Sequence, residues 1–505
     1  MTVIYAGDLD GGDLDEENAA GHIHGICLKT GPPQRVGVEL EWLVRDARDP
    51  ALPVPAGRIA AAVTAFDAGR GNPDHERLNG EKRARPELPT SSRPGVLPSG
   101  ALLTTEPGGQ LELSSQPADS LGDLVRATSA DLVALREAVA AAGLELAGIG
   151  LDPLRPPRRV LELPRYAAME AFFDRGGPWG RQMMCGTASV QVCLDAGEDS
   201  DGPSGYRQRW QLVHAIGPVL VAAFANSPLR EGKPTGWVSS RQQVWTRMDP
   251  GRTRPPRPDE DPREAWAAYA LDARVMCVPN PDSGDWSAPP GLTFRDWVRG
   301  DPVTTGPVTR DTGTTGNGTT GTPAPGTRAA GPASPASGEA GDGDVRLRRP
   351  TADDLDYHLS TLFPPVRPRG HFELRMIDAQ PGDGWIVPLA VSSALLSDAP
   401  AGEAARAAVA PLWGGEPPGW PAPGGAGAEA DGAGLDGEGP WVRAARCGPL
   451  DPLIGQASRE CFAAAREALD RMAAPAAITG TVDAFIEEYV SKDRCPADDL
   501  LEEAN

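Results

Sequence analysis

No run of about 18 apolar residues occurs in this chain, and it has no charged-then-apolar opening. That excludes an obvious membrane span or secretory leader and sets the expectation of a cytoplasmic protein. No CxxC pair occurs either. Cys27, Cys185, Cys193, Cys277, Cys447, Cys461 and Cys495 are odd in number and widely scattered. Neither a disulfide scaffold nor a zinc site is suggested. Positive charge is scarce: 48 Lys and Arg stand against 70 Asp and Glu, a formal net charge of −22. Nucleic acid and anionic membranes are thereby disfavoured as main partners. Any anionic substrate would need a local basic patch. No internal repeat is found, and nothing fixes an oligomeric state.

Glycine and proline are abundant, 60 and 53 of 505 residues. Much of both falls in low-complexity insertions at about 68–100, 304–344 and 414–440. Length alone allows about two to four domains. The remainder suits a single core of roughly 350 to 400 residues. The expected organisation is a mobile acidic segment over 1–21, one catalytic domain over 22–492, and an acidic tail over 493–505.

The stretch TTEPGGQLELSS, Thr104 to Ser115, places Glu106 and Glu112 around the turn Pro107-Gly108-Gly109. After the turn, Leu111 and Leu113 alternate with Gln110, Glu112 and Ser114, the period of a half-buried strand. Val36 to Val44 alternates likewise, with Glu39 and Glu41 on one face and Val38, Leu40 and Trp42 on the other. In His371 to Ile377, Glu373 and Arg375 share a face. Polar faces on single strands are commonly just solvated. Three acidic faces in one core need a stronger reason. Two carboxylates about 4 Å apart repel by roughly 4 kcal/mol at an effective dielectric of about 20. Hard divalent cations such as Mg²⁺ remove that cost and prefer oxygen ligands. The pattern therefore points to metal sites that receive a nucleoside triphosphate.

The basic patch lies at Gly236 to Thr253, where Arg241, Arg247, Arg252 and neighbouring Arg254 cluster with Trp237 and Trp245. Arginine forks grip carboxylate and phosphate oxygens at two points. Helical spacing is expected over 120–143 (capped by Ser120), 165–174, 205–225, 386–396, 454–472 and 482–489, with strands at 144–150 and within 183–195. His214, inside the 205–225 helix, reads as a core histidine.

Six strings occur in one order: GVELEWLV, TTEPGGQLELSSQP, TASVQVCLDAG, ANSPL, GWVSSRQQVWTRMDPGRT and HLSTLFPPVRPRGHFELRMIDAQP. Together they resemble the plant and proteobacterial type of glutamate–cysteine ligase, most of all its actinobacterial branch that feeds ergothioneine synthesis. The resemblance implies an α+β, glutamine-synthetase-like fold, with a curved antiparallel sheet forming a funnel and helices packed outside. It implies ATP, Mg²⁺ (or Mn²⁺), L-glutamate and L-cysteine as ligands. The side-chain carboxylate of glutamate would be activated as an acyl phosphate and attacked by the cysteine amine. Glu39, Glu41, Glu106, Glu112 and Glu373 would hold metal ions. Arg375 and Arg241 would act on the reacting groups. Arg247, Arg252, Gln191 and Asn226 would be further substrate or ATP contacts. No cysteine is needed as a nucleophile, and no general base stands out. Two alternatives stay open: a ligase joining glutamate to a different amine, and a nucleotide- or amino-acid-binding regulatory protein without catalysis. The intact set of acidic residues with Arg375 argues against the latter.

Overall fold

A computed structural model describes residues 14–66, 94–256, 260–280, 283–300, 347–414 and 439–504. The insertions expected at 304–344 and around 414–440 fall almost wholly outside the described residues, as does most of 68–100. Ten strands are present among the described residues: β1 (Val36–Asp46), β2 (Gly95–Val96), β3 (Leu102–Thr105), β4 (Leu111–Ser114), β5 (Leu144–Ala147), β6 (Ser189–Leu194), β7 (Leu229–Arg230), β8 (Lys233–Pro234), β9 (Val366–Pro368) and β10 (Phe372–Asp378).

Eight of them form one antiparallel sheet in the order β2-β3-β4-β1-β6-β10-β9, with β5 paired to the far half of β1. The three Glu-bearing strands are all in it, with β6 between β1 and β10. Alternation does what the pattern predicts. Val38, Leu40 and Trp42, Leu111 and Leu113, Val190 and Val192, and Phe372 and Leu374 are buried on one face. They join one core with the helices Leu121–Ala141, Gly217–Ala223, Ile386–Ser397 and Pro452–Arg471. Glu39, Glu41, Glu112, Gln191 and Glu373 project from the opposite face. The observed architecture is therefore mixed helix and antiparallel sheet, and the acidic side chains share one surface.

Several local expectations need correction. Residues 205–225 form two helices, Tyr206–Ala215 and Gly217–Ala223. Pro218 cannot donate to the turn before it, and a Cβ at Gly217 would come within 2.0 Å of the Trp441 ring. The region 183–195 is a strand only from Ser189, since Trp179–Gly186 is helical. Glu16 to Gly21, expected to be mobile, belongs to the helix Glu16–Cys27, capped by the Asp15 carboxylate. The acidic tail carries a helix, Pro496–Glu503, and Cys495 and Ala497 pack under Ala225 and Val238. His214 is a core residue, as expected. Its Nδ1 lies 2.8 Å from the Trp210 carbonyl, and burial pushes its pKa down to about 4. No helix among the described residues is long and apolar enough to cross a membrane.

Leu374 is fully buried beneath the acidic face. Leu374→Ala is expected to lower stability by about 2–5 kcal/mol through the cavity it leaves. A chemical denaturation midpoint indistinguishable from the parent protein would contradict this placement.

Candidate active site

Sheet register decides which carboxylates meet. Glu41 lies directly opposite Glu112 across β1 and β4, and Glu39 lies opposite Gln191 across β1 and β6. Glu373 lies opposite Arg367 across β10 and β9. Glu106 is brought to the same surface by the β3–β4 hairpin tip. There the Glu106 amide donates to the Gln110 carbonyl, and the Gly109 amide donates back to Glu106. Gly109 has φ +89°, and a Cβ on Gly108 would come within 2.2 Å of the Cys185 carbonyl oxygen. Both positions therefore demand glycine. The Gln110 amide clamps the tip by donating to the Thr187 carbonyl at 2.9 Å.

The carboxylates divide into two groups. Burial pushes Glu39 and Glu106 up to about 8, with the neighbouring carboxylates of Glu373 and Glu112, and of Glu112 and Glu41, adding to the shift. Burial, then Glu112, also raises Glu41. Its oxygens accept from Ser189 Oγ at 2.9 Å and Gln191 Nε2 at 2.8 Å. Glu112 accepts from Thr104 Oγ1 at 2.9 Å. Glu373 is different. Burial alone would raise it, but Arg367, Arg375 and Arg369 together hold it well below the usual carboxylate range. Arg367 grips both its oxygens, at 2.6 and 3.0 Å, and Arg375 donates to it at 2.9 Å.

Gln191 joins the two groups. It donates to Glu41 and accepts a hydrogen bond from Arg375. Arg375 sits at a β-bulge: β10 advances three residues, Leu374 to Ile377, while β6 advances two, Val192 to Val190. The bulge is held from outside. Arg241 donates to the Arg375 carbonyl at 2.7 Å, and Gln242 donates to that of Met376 at 2.8 Å. Both donors come from the first turn of the helix Ser240–Arg247, capped by Ser239. Arg241 is buried over the Trp245 ring, and its Nε and one terminal nitrogen lack hydrogen-bond partners. A buried guanidinium with spare donors, within electrostatic reach of Glu41, is equipped to receive an oxyanion.

The other predicted substrate contacts separate from this site. Arg252 is fully buried and is held by the Thr361 and Arg274 carbonyls and Asp249. It pins loops together. Asn226 is also structural. Its amide donates to the Gly148 and Ala379 carbonyls, both at 2.8 Å. Arg247 lies over the Trp179 ring, Arg241 over that of Trp245 and Arg252 over that of Phe172, so the three guanidiniums meet different neighbours.

Sequence reasoning missed Arg367 and Arg369 of the PPVRPRGH string, Ser189, Thr104, His371 and Asp378. Arg369 approaches Glu39 at 4.0 Å and Glu373 at 3.7 Å. Asp378 is buried and accepts from the Asn226 amide, Ser227 Oγ and Ser239 Oγ, with Arg241 at 3.7 Å. Beside Glu39 and Arg369 opens a cavity of about 420 Å³.

As they stand, no three acidic, His or Cys side chains among the described residues converge tightly enough to hold one ion. The donor set nevertheless fits a hard cation. It is built of oxygens, and burial, with the neighbouring carboxylates adding to it, makes Glu39, Glu41 and Glu106 hold protons more tightly than free carboxylates do, beyond what the nearby arginines offset.

A pH prediction follows from the sign of those shifts. A carboxyl whose pKa rises on folding stabilises the fold at low pH, and that stability is lost between about 4.5 and about 8. Chelator-treated protein should therefore melt at progressively lower temperature as pH rises through that window. Added Mg²⁺ should raise the melting temperature more at the upper end than at the lower. An Mg²⁺ effect equal at both ends would count against the buried acidic cluster as its target.

A protein-family model described as glutamate-cysteine ligase family 2 matches residues 35–420. The chain is 34% identical to a glutamate–cysteine ligase EgtA of Mycolicibacterium smegmatis, over 96% of this chain and 90% of that one. It is 29% identical to a chloroplastic glutamate–cysteine ligase of Medicago truncatula, over 55% of this chain and 47% of that one. A solved glutamate–cysteine ligase of Francisella tularensis in complex with AMP superposes with a TM-score of 0.46 at 11% identity, covering 94% and 85% of the two chains.

Proposed function

Because the chain belongs to glutamate-cysteine ligase family 2, we propose that it joins the side-chain carboxylate of L-glutamate to the amine of L-cysteine, using ATP, to give γ-glutamylcysteine. The observation that carries the reading is the face shared by Glu39, Glu41, Glu106 and Glu112, closed at one edge by Arg375 and Arg241. Glutamate oxygen attacks the terminal phosphorus and ADP leaves. The cysteine amine then attacks the acyl carbon, phosphate leaves, and the amine gives up a proton. Phosphoryl transfer asks mainly for positioning and charge neutralisation; in this reading the face does the positioning, and Arg375, Arg241 and cations held by the carboxylates do the neutralising.

In this reading Glu39, Glu41, Glu106 and Glu112 hold divalent cations, Mg²⁺ or Mn²⁺. When bound, these ions neutralise the charge of the phosphates and of the carboxylates. Glu373 belongs to the same set, but Arg367 occupies it. Its participation requires that guanidinium to turn to the nucleotide phosphates. Arg375, braced by Gln191 and Glu373, faces the phosphoryl group in flight. Arg241 receives a carboxylate of glutamate, and Asp378 with the Asn226–Ser227 turn keeps it in place. The nucleotide occupies the cavity beside Glu39 and Arg369. We further assign the protein to the cytoplasm, the sheet to the funnel type found in glutamine synthetases, and the product to ergothioneine synthesis, on the likeness to the actinobacterial branch.

The test is ADP release with ATP, Mg²⁺ and glutamate, adding cysteine or other amines, with product mass in parallel. Cysteine-dependent turnover and a γ-glutamylcysteine mass are expected. Turnover only with another amine would replace the second substrate. Glu112→Gln should lower turnover at least about a hundredfold, the scale lost with one preorganised charge partner, while the circular dichroism spectrum stays unchanged. Parent-like turnover in that variant would remove Glu112 from the metal set.

A further inference from the structure

The family match begins at residue 35, yet part of the wall of the cavity beside Glu39 comes from the chain before it. Ile26, Cys27 and Lys29 line that cavity together with Glu39, Arg369 and His371. The segment that delivers them is firmly tied. The Gly370 amide donates to the Cys27 carbonyl at 2.7 Å, and the Gly31 amide donates to that of Gly197 at 2.9 Å. His22 Nε2 lies 2.7 Å from the Asp356 carboxylate, with both side chains largely buried. The Lys29 stem crosses Gly370, whose φ is +79°; a Cβ there would stand 3.5 Å from Lys29 Cδ. The positive φ favours glycine at 370, and the lysine stem passes within ordinary contact distance of the turn that carries Arg369.

The charges around the cavity are unequally satisfied. Asp195 accepts from the Gln34 and Arg35 amides at 3.0 and 2.8 Å, Asp356 faces His22, and Glu39 faces Arg369. Lys29 pairs with none of these carboxylates, and its ammonium has no ion-pair partner among the described residues. An unpaired ammonium at the wall of a cavity whose carboxylates are already engaged favours an incoming anion. Apolar Ile26, Leu102, Pro117 and Leu359 are among the residues that line the cavity, a surface suited to a flat base.

We propose that Lys29 contacts the polyphosphate of the nucleotide, a binding residue supplied from outside the matched family region. The assignment rests on the reading that the nucleotide enters this cavity. The Cys27–Gly370 and Gly31–Gly197 hydrogen bonds hold the loop backbone, so that binding has only the exposed lysine side chain left to order.

The test is steady-state kinetics on the full chain with Lys29→Met, Lys29→Arg and Leu102→Trp, the last narrowing the cavity at another of its lining residues. Lys29→Met should raise KM for ATP about tenfold, the scale of one charge-assisted hydrogen bond. The KM values for glutamate and cysteine should hold, and kcat should change less than about twofold. Lys29→Arg should recover most of the ATP affinity. A raised KM for ATP in Leu102→Trp alone would keep the nucleotide in the cavity and overturn the role of Lys29. An unchanged KM for ATP in both Lys29→Met and Leu102→Trp would overturn the cavity reading and the lysine with it. A raised KM for glutamate or cysteine in Lys29→Met would also overturn the proposal.

Discussion

The structure depends on a charge imbalance that the fold creates and does not itself resolve. Antiparallel pairing sets Glu41 opposite Glu112 and leaves Glu39 next in line on the same face. Burial then removes the water that would screen them. At the β9–β10 edge the protein supplies its own counter-charge, and Glu373 is held ionised by three arginines. At the β1–β4 centre it supplies hydroxyls and an amide: Ser189, Thr104 and Gln191. Hydroxyls and amides satisfy lone pairs without cancelling charge. The centre is thus pre-formed in shape and incomplete in electrostatics, which is the state a cation-dependent phosphoryl-transfer site should hold before its ligands arrive.

The brace around Arg241 shows how a fold keeps a buried guanidinium usable. A buried arginine with every donor satisfied, like Arg252, is structural cement. Arg241 is held by its backbone amide, which donates to Ser227 Oγ, by the carbonyl of Arg375 and by the field of Asp378, yet keeps spare donors. Asp378 in turn is fixed by the Asn226–Ser227 turn and by Ser239, so two separate sequence strings converge on one carboxylate. Asn226 therefore matters as a support for Asp378 and, through it, for Arg241.

Much of this was legible in the sequence, for identifiable reasons. Period-two alternation placed Glu39, Glu41, Glu112 and Glu373 on one face, because half-buried antiparallel strands leave few other options. Ser120 and Gly143 bounded their helix correctly. The arginine cluster was misread because closeness along the chain says nothing about direction. Arg241 and Arg252 occupy different short helices, Ser240–Arg247 and Pro250–Thr253, and face different neighbours. Arg367 was passed over because flanking prolines made its stretch look like a helix exit, when it is a short edge strand opposite Glu373. The helix Glu16–Cys27 is not legible in the sequence: its first residues read as part of a mobile acidic leader, although they start a helix that packs against Trp266, Phe294 and Leu355.

The extra residue in β10 settles one more matter. Before the bulge the odd-numbered residues, Glu373 and Arg375, share the face of Cys193 and Gln191; after it the even-numbered Asp378 pairs with Ser189 on that same face, while Ile377 joins Val190 in the core. Parity inverts within a single strand. The constraint there is arithmetic as well as chemical: between Glu373 and Asp378 the number of residues sets which side chains face the site. A conservative replacement leaves the layout standing, whereas a one-residue deletion would send the last carboxylate into the greasy layer and release Arg241 from its anchor. Divergence along this strand should therefore run through substitution and spare its length.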